Sequence, residues 1–348
     1  MRNKKSRKRH PYLWAVLYSI LLTGYAIFTL LDAFVLPRDM VYLEDIVNTP
    51  SANKTISNHE NSRQDNVISD INDSVDGMEE AEKLTQSEEL AQSGELAEPK
   101  VLSESVVTDT SYESAGISIT IKTQRKYDTE IYIADVTIKD ASYLRAGLAG
   151  GAFGRNVSEP TSKMAEQNDA ILAINGDYYG FRDSGFVMRN GYFYRDTART
   201  AAEDDALVVY KDGHMEIMSE NDADVQELTE DAVQIFSFGP GLIREGDILV
   251  NEYSEVEQAM RSNPRTAIGE ISPLHYIFLV SDGRTEESEG LSLWELAQIM
   301  QELGCSTAYN LDGGGSSTMW FMGRIVNHPT SGRRSGERRV SDIVYIGE

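Results

Sequence analysis

An uninterrupted apolar run from about Tyr12 to Leu31 carries no charged side chain and includes Trp14, Ile20, Leu21, Leu22 and Phe28. About twenty residues at a rise of about 1.5 Å reach about 30 Å, the thickness of a bilayer core. Before it stand Arg2, Lys4, Lys5, Arg7, Lys8 and Arg9, with no acid among the first ten residues. Basic residues stay on the cytoplasmic side, so the pattern predicts a single-pass anchor with an extracellular C-terminal domain. Residues 1–11 are then a cytoplasmic tail and 12–36 a transmembrane signal-anchor helix. The run exceeds the ~7–15 residues of a cleaved signal core. The stretch Asp32-Ala33-Phe34-Val35-Leu36-Pro37 also lacks a small-x-small cleavage site.

The anchor predicts export, and the remaining composition bounds what is exported. The formal charge is −24 although the start is basic, so the exported part is more acidic still. That disfavours nucleic acid and anionic lipid as partners of the ectodomain. Cys305 is the only cysteine, so stability outside the cell rests on no intrachain disulfide. Residues 37–108 read as a disordered acidic stalk, rich in Asn, Ser, Asp, Glu and Gln. Such a stretch has too little apolar surface to offset its chain entropy. A flexible stalk of about sixty residues would let the domain search tens of ångströms from the membrane.

Residues 109–348 carry the folding signals. Ile117-Ser118-Ile119-Thr120-Ile121 alternates as a half-buried strand does, with Ile131–Val136 as its hairpin partner. Asn190-Gly191 and Asp212-Gly213 sit between β-rich runs as hairpin turns. Pro160 opens a helix around Thr161–Asn168, and Ala170–Ile174 is the strand after it. Tyr276–Val280 is continuously apolar, as a strand covered on both faces is. Ser292-Leu293-Trp294-Glu295 is a capping box, Gly304 a C-terminal cap, and Thr307–Leu311 the next strand. This strand–helix–strand unit predicts a parallel crossover. The expected fold is α+β: a mixed sheet with flanking helices and a βαβ unit near the C-terminus.

Polar clusters close these strands. Asn175-Gly176-Asp177-Tyr178-Tyr179 follows Ile171–Ile174, and Ser281-Asp282-Gly283-Arg284 follows Tyr276–Val280. Asn263-Pro264-Arg265-Thr266 precedes a further strand, and Asn310-Leu311-Asp312-Gly313-Gly314-Gly315-Ser316-Ser317 closes the helix-flanked one. Ligands of crossover sheets bind beyond the carboxyl ends of strands, which would put Asp282 and Asp312 on one edge of neighbouring strands. Three glycines let a backbone approach a ligand, and their N–H groups with the Ser316 and Ser317 hydroxyls can cradle an anion. An Asp before a Gly-Ser run is also an ordinary turn. Arg265 and Arg284 can grip phosphate with a bidentate fork, or serve as surface ion-pair residues. The run lacks the lysine of a nucleotide phosphate loop and the second glycine of a nucleophile elbow. The five histidines, His10, His59, His214, His275 and His328, show no zinc-ligand spacing.

Taken in order, these clusters, together with Phe238-Gly239-Pro240-Gly241, Gly323-Arg324-Ile325-Val326-Asn327 and Glu337-Arg338-Arg339-Val340-Ser341-Asp342, resemble the phosphodiester glycosidase family over about residues 140–348. The Asn310–Ser317 segment is the most specific part, and Arg339 and Ser341 depart from the pattern, so no role rests on that tail. The resemblance implies hydrolysis of a sugar-1-phosphodiester in envelope or exopolysaccharide glycans, with release of a sugar and a phosphomonoester. Bacterial relatives are often labelled exopolysaccharide-biosynthesis proteins, and the basic start and the absence of disulfides fit a bacterial envelope. Such a reaction needs carboxylates beside an oxocarbenium-like centre, and donors on the departing phosphate. Asp177, Asp282 and Asp312 are the carboxylates expected to carry it. Asn175, Arg265, Arg284, Asn310, Gly313, Gly314, Gly315, Ser316 and Ser317 are expected to bind substrate. Two alternatives stand beside this reading. The same carboxylates would suit a hard divalent cation in P–O cleavage, although no cofactor is otherwise called for. Or the pocket holds an anionic glycan without cleaving it.

Overall fold

A computed structural model describes residues 13–42, 105–201, 204–224, 228, 230–254, 262–331 and 334–348. The basic tail, and residues 43–104 of the expected stalk, lie outside the described residues. Within them the protein is mainly β, with several antiparallel sheets and three α-helices.

The largest sheet has nine strands. Their order is β15 (Asp247–Ile248), β14 (Gly241–Arg244), β18 (Thr307–Leu311), β16 (Thr266–Ser272), β17 (His275–Ser281), β5 (Thr129–Ile138), β4 (Ile117–Lys126), β3 (Ser111–Glu113) and β2 (Val106–Val107). A five-stranded sheet runs β20 (Arg324–Ile325), β19 (Met319–Phe321), β8 (Leu172–Asn175), β23 (Asp342–Ile346) and β6 (Leu144–Leu148). A second runs β10 (Tyr192–Arg195), β9 (Val187–Arg189), β13 (Ala232–Phe236), β11 (Asp205–Tyr210) and β12 (Met215–Ser219). Two ribbons complete the set: β1 (Arg38–Tyr42) with β7 (Ala152–Arg155), and β21 (Thr330–Ser331) with β22 (Arg334–Ser335).

The continuous apolar run of β17 has a direct physical cause. Tyr276, Phe278 and Val280 enter the core that also holds Ile268, Tyr309 and Leu311. Ile277 and Leu279 point the other way, into a core closed by Leu293, Leu296, Ala297 and Met300. Those four lie on the helix Leu293–Glu302, which the Ser292–Glu295 capping box opens. The expected hairpins form: Asn190 and Gly191 both adopt positive φ, as does Gly213.

Three expectations are corrected. The sheet is not mixed, because every strand pairing among the described residues is antiparallel. The crossover from β17 to β18 does produce two strands pointing the same way. They are not neighbours, because β16 lies between them, antiparallel to both. The third concerns the stalk. Arg38–Tyr42 is a strand paired with β7, and Asn156 Nδ2 donates to the Leu36 carbonyl at 2.9 Å. Val41 packs against the cluster of Leu148, Tyr179, Val187 and Tyr194. Strand structure among the described residues thus includes Arg38–Tyr42, directly after the first helix, and Val106–Val107, ahead of residue 109.

That first helix, α1 (Leu13–Phe34), runs 22 residues. Its side chains are described over 16–32, and among the described residues no helix is long and apolar enough to cross a membrane.

Candidate active site

The sheet order places the polar clusters. Thr266, at the start of β16, pairs with Val280 on one side and Leu311 on the other. Asp282 and Asp312 therefore emerge from the same edge, one strand apart, with Arg265 between them. The five-stranded sheet meets this edge through Asn175. Its amide donates to the Asp312 carbonyl and accepts from the Thr266 hydroxyl at 2.8 Å. The Asp312 N–H donates back to the Gly176 carbonyl at 3.1 Å.

The three expected carboxylates occupy three different environments. Asp177 is enclosed. It accepts hydrogen bonds from the N–H groups of Tyr178 and of Ser237, the latter at 2.8 Å, and Arg189 NH2 lies 3.6 Å away. Arg189 is fully buried, donates Nε to Asp342 at 2.7 Å, and lies 4.0 Å over the Phe236 ring. Asp342 closes the knot by accepting the Asp177 N–H at 2.7 Å. Burial pushes the Asp342 carboxyl up to about 6, against the pull of Arg189. Gly176 is required here, because a Cβ would lie 2.4 Å from Asp342 Oδ1.

Asp312 is buried but borders the surface. Arg338 NH2 donates to its two oxygens at 3.0 and 2.8 Å, and the Ser316 hydroxyl donates to Oδ2 at 2.6 Å. Burial raises its proton affinity, while Arg338 and Ser316 act against that rise. Asp282 accepts from Tyr132 OH at 3.1 Å, the His328 N–H at 2.8 Å and the Asn327 amide at 3.3 Å. His328 Nδ1 lies 3.1 Å from Asp282 Oδ2 and 2.9 Å from Tyr132 OH. The His328 side chain is 83% exposed, which leaves Nε2 to face a ligand. An Asp–His pair of this kind can move a proton at Nε2.

The cationic side of the site differs from expectation. Arg284 donates Nε and NH2 to the neutral Asn263 Oδ1 at 3.0 and 2.7 Å. Its proton affinity is lowered by burial and then by the charge of Arg338. Both guanidiniums sit on the glycine loop. Arg284 NH2 lies 2.9 Å from where a Gly314 Cβ would stand, and Gly314 adopts φ 62°. Arg338 donates to Ser316 Oγ at 2.9 Å and to the Gly313 carbonyl at 3.3 Å. Arg265, by contrast, is buried and donates Nε to the Leu291 carbonyl at 2.8 Å.

The loop itself is less of an anion cradle than its glycines imply. The N–H groups of Gly314, Ser316 and Ser317 donate to the carbonyls of Pro264, Gly313 and Gly314. The glycines, Gly315 among them, chiefly make room: a Gly315 Cβ would meet Ser331 at 3.1 Å. Asn310 donates to the Gly239 carbonyl at 2.7 Å, and its Oδ1 and the Ser317 hydroxyl are buried without a hydrogen-bond partner among the described residues.

Sequence reading missed Arg338, His328, Tyr132, Arg189 and Asp342. Arg338 and Asp342 lay in the Glu337–Asp342 tail, to which no role was given, and no local signal marks the others. Among the described residues no group of three or more His, Cys, Asp or Glu side chains is placed to hold a metal ion. A cavity of about 620 Å³ lies elsewhere, lined by Tyr210, His214, Glu216 and Asp222 among others, and shares no residue with this edge.

The comparisons with known proteins cover the same region. The chain is 30% identical over 202 residues to the SPbeta prophage-derived uncharacterized protein YomE of Bacillus subtilis (strain 168), covering 56% of this chain and 30% of that protein. It is 27% identical over 233 residues to the human N-acetylglucosamine-1-phosphodiester alpha-N-acetylglucosaminidase, covering 61% of this chain and 44% of that one. The chain thus spans less than half the length of these relatives. A solved structure of the zebrafish enzyme of that name, its catalytic domain auto-inhibited by a pro-peptide, shares the fold with a TM-score of 0.53. The match has 23% identity and covers 67% of this chain and 83% of that one. The family model for phosphodiester glycosidase matches residues 168–347, more than half of the chain, so the chain belongs to the phosphodiester glycosidase family.

Proposed function

We propose that this protein hydrolyses the glycosidic bond of a sugar-1-phosphodiester. One observation carries the reading: two guanidiniums, Arg284 and Arg338, flank Gly314 beside a buried carboxylate at the sheet edge. Arg284 has a neutral hydrogen-bond partner, so its charge is available to an anion. Breaking the C1–O bond sends an electron pair to the phosphate, and donors fixed where that charge arrives stabilise it. Asp312 and Asp282 are the carboxylates of the edge and flank the sugar carbon, with His328 beside Asp282. Asp177 positions this machinery through the Asp177–Tyr178 backbone and Asp342. N-acetylglucosamine-1-phosphodiesters, named in the relatives' titles, head the set of candidate substrates.

The test is turnover of defined glycosyl phosphodiesters by the full chain in 18O-labelled water. Label in the released sugar is the expected result. Label in the phosphate would mean P–O cleavage instead and overturn the glycosidase reading, and binding without turnover would leave a glycan-binding ectodomain.

The envelope membrane is the proposed location, with the N-terminus inside and the β domain outside. The support is α1 together with the six basic residues before it. Ile20, Leu21 and Phe28 on α1 are more than half exposed, an apolar surface that a bilayer would cover. Protease digestion of intact cells checks it: the domain should be cleaved from outside and the tail protected.

A further inference from the structure

We propose that Arg338 is a second ligand for the substrate's phosphate, held in reserve by Asp312 and Ser316 until an arriving phosphodiester takes it over. The inference rests on the phosphodiester reading and adds to it an exchange of partners at Arg338 that neither the sequence motifs nor the family match assigns.

Four observations converge on it. The Arg338 backbone is fixed at the loop, its N–H donating to the Gly315 carbonyl at 2.9 Å. Its side chain is nonetheless 43% exposed, so the guanidinium can re-aim without moving the main chain. All its bonds to Asp312, Ser316 and Gly313 use Nε and NH2, which leaves NH1 for another acceptor. Finally, Arg284 and Arg338 repel each other across Gly314, and among the described residues Asp312 is the one carboxylate bonded to either.

A phosphodiester resolves this imbalance. It is a monoanion with two non-bridging oxygens, and a planar guanidinium suits each of them. Arg265 and Arg189 cannot take this part, since both are buried and committed to backbone or carboxylate acceptors. The Arg338 end of the ion pair with Asp312 borders solvent, so water can hydrate the guanidinium as it re-aims. Asp312 keeps its hydrogen bond from Ser316 when the guanidinium leaves. The exchange therefore frees the carboxylate at the moment the phosphate is seated, and it keeps the cation from an idle position over the open edge.

The test uses dimethyl phosphate, a diester monoanion without a sugar, titrated calorimetrically into the full-length protein in detergent. Arg338→Gln should weaken binding about tenfold, the scale of a charge-assisted hydrogen bond. Asp312→Asn removes the competing charge and one of the two acceptor oxygens, and should tighten binding by about tenfold on the same scale. That gain should vanish in the double variant. A general relief of charge repulsion would instead persist in the double variant, and that result overturns the exchange. Unchanged binding by Arg338→Gln overturns it as well. Should Arg338→Gln fail to fold, Arg338→Lys, which keeps the charge but not the fork, should show an intermediate loss and a reduced Asp312→Asn gain. Because binding is read without turnover, a protein that hydrolyses no diester would sink the hydrolase reading and leave this result standing.

Discussion

Two carboxylate–guanidinium pairs in this molecule have nearly the same geometry and opposite meanings. Arg189–Asp342 and Arg338–Asp312 both close at 2.7–2.8 Å. The first has both side chains at 0% exposure, while in the second the arginine is 43% exposed and the aspartate 9%. The enclosed pair joins β9 to β23 and, through the Asp177 N–H, fixes the loop that follows β8. The edge pair joins a tail to a glycine loop and can open without disturbing a sheet. Burial, more than residue type, separates the ion pair that builds the site from the one that works in it.

The comparison can be broken most forcefully at Arg189. Arg189→Leu leaves Asp177 and Asp342 enclosed without their counter-ion. It should cost about 3–5 kcal/mol of stability in urea unfolding. A loss near zero would mean the knot is not structural. Next comes Asp312→Asn, which should lower kcat on a glycosyl phosphodiester by about a hundredfold or more with little change in unfolding midpoint. Full activity on a folded protein would remove Asp312 from the chemistry.

The pH dependence of the knot should be smaller and has a definite sign. Burial raises the Asp342 carboxyl to about 6 in the folded protein, against 3.8 for the ordinary side chain. The folded state thus binds more protons than the unfolded state between those values. This group's contribution is fully present below about 4 and is lost as pH rises through 6. Unfolding midpoints measured from pH 4 to pH 7 should show that decline, and Asp342→Asn should flatten it. The smallest effect belongs to the edge. Arg338→Gln should change stability by no more than about 1–2 kcal/mol, because solvent screens the arginine end of the pair and Asp312 keeps its hydrogen bond from Ser316. A loss as large as that of Arg189→Leu would erase the distinction drawn between the two.

Local rules made much of the fold legible. The double-sided burial of β17, the Ser292–Glu295 cap and the Asn190-Gly191 turn are each set by residues a few positions apart. The edge carrying Asp282 and Asp312 followed from the same signals, although the β16 strand inserted between them did not. The knot was not legible, because Arg189 and Asp342 are 153 positions apart, Arg189 sits in no telling motif, and Asp342 closes a tail to which no role was given. Asp177 looked like its two fellow carboxylates because sequence does not report burial. His328 was dismissed for lacking metal-ligand spacing, although its partner is an aspartate 46 positions away.

The strand β1 has a consequence for scale. A stretch composed like a tether invites the picture of a domain on a long leash. Because Arg38–Tyr42 is stitched to β7, only residues 35–37 lie between α1 and the β domain. That short join sets the distance from α1. With α1 in a bilayer, the catalytic unit would ride on the membrane surface like a rivet head, and its hunting ground would be the first layer of glycan above the lipid.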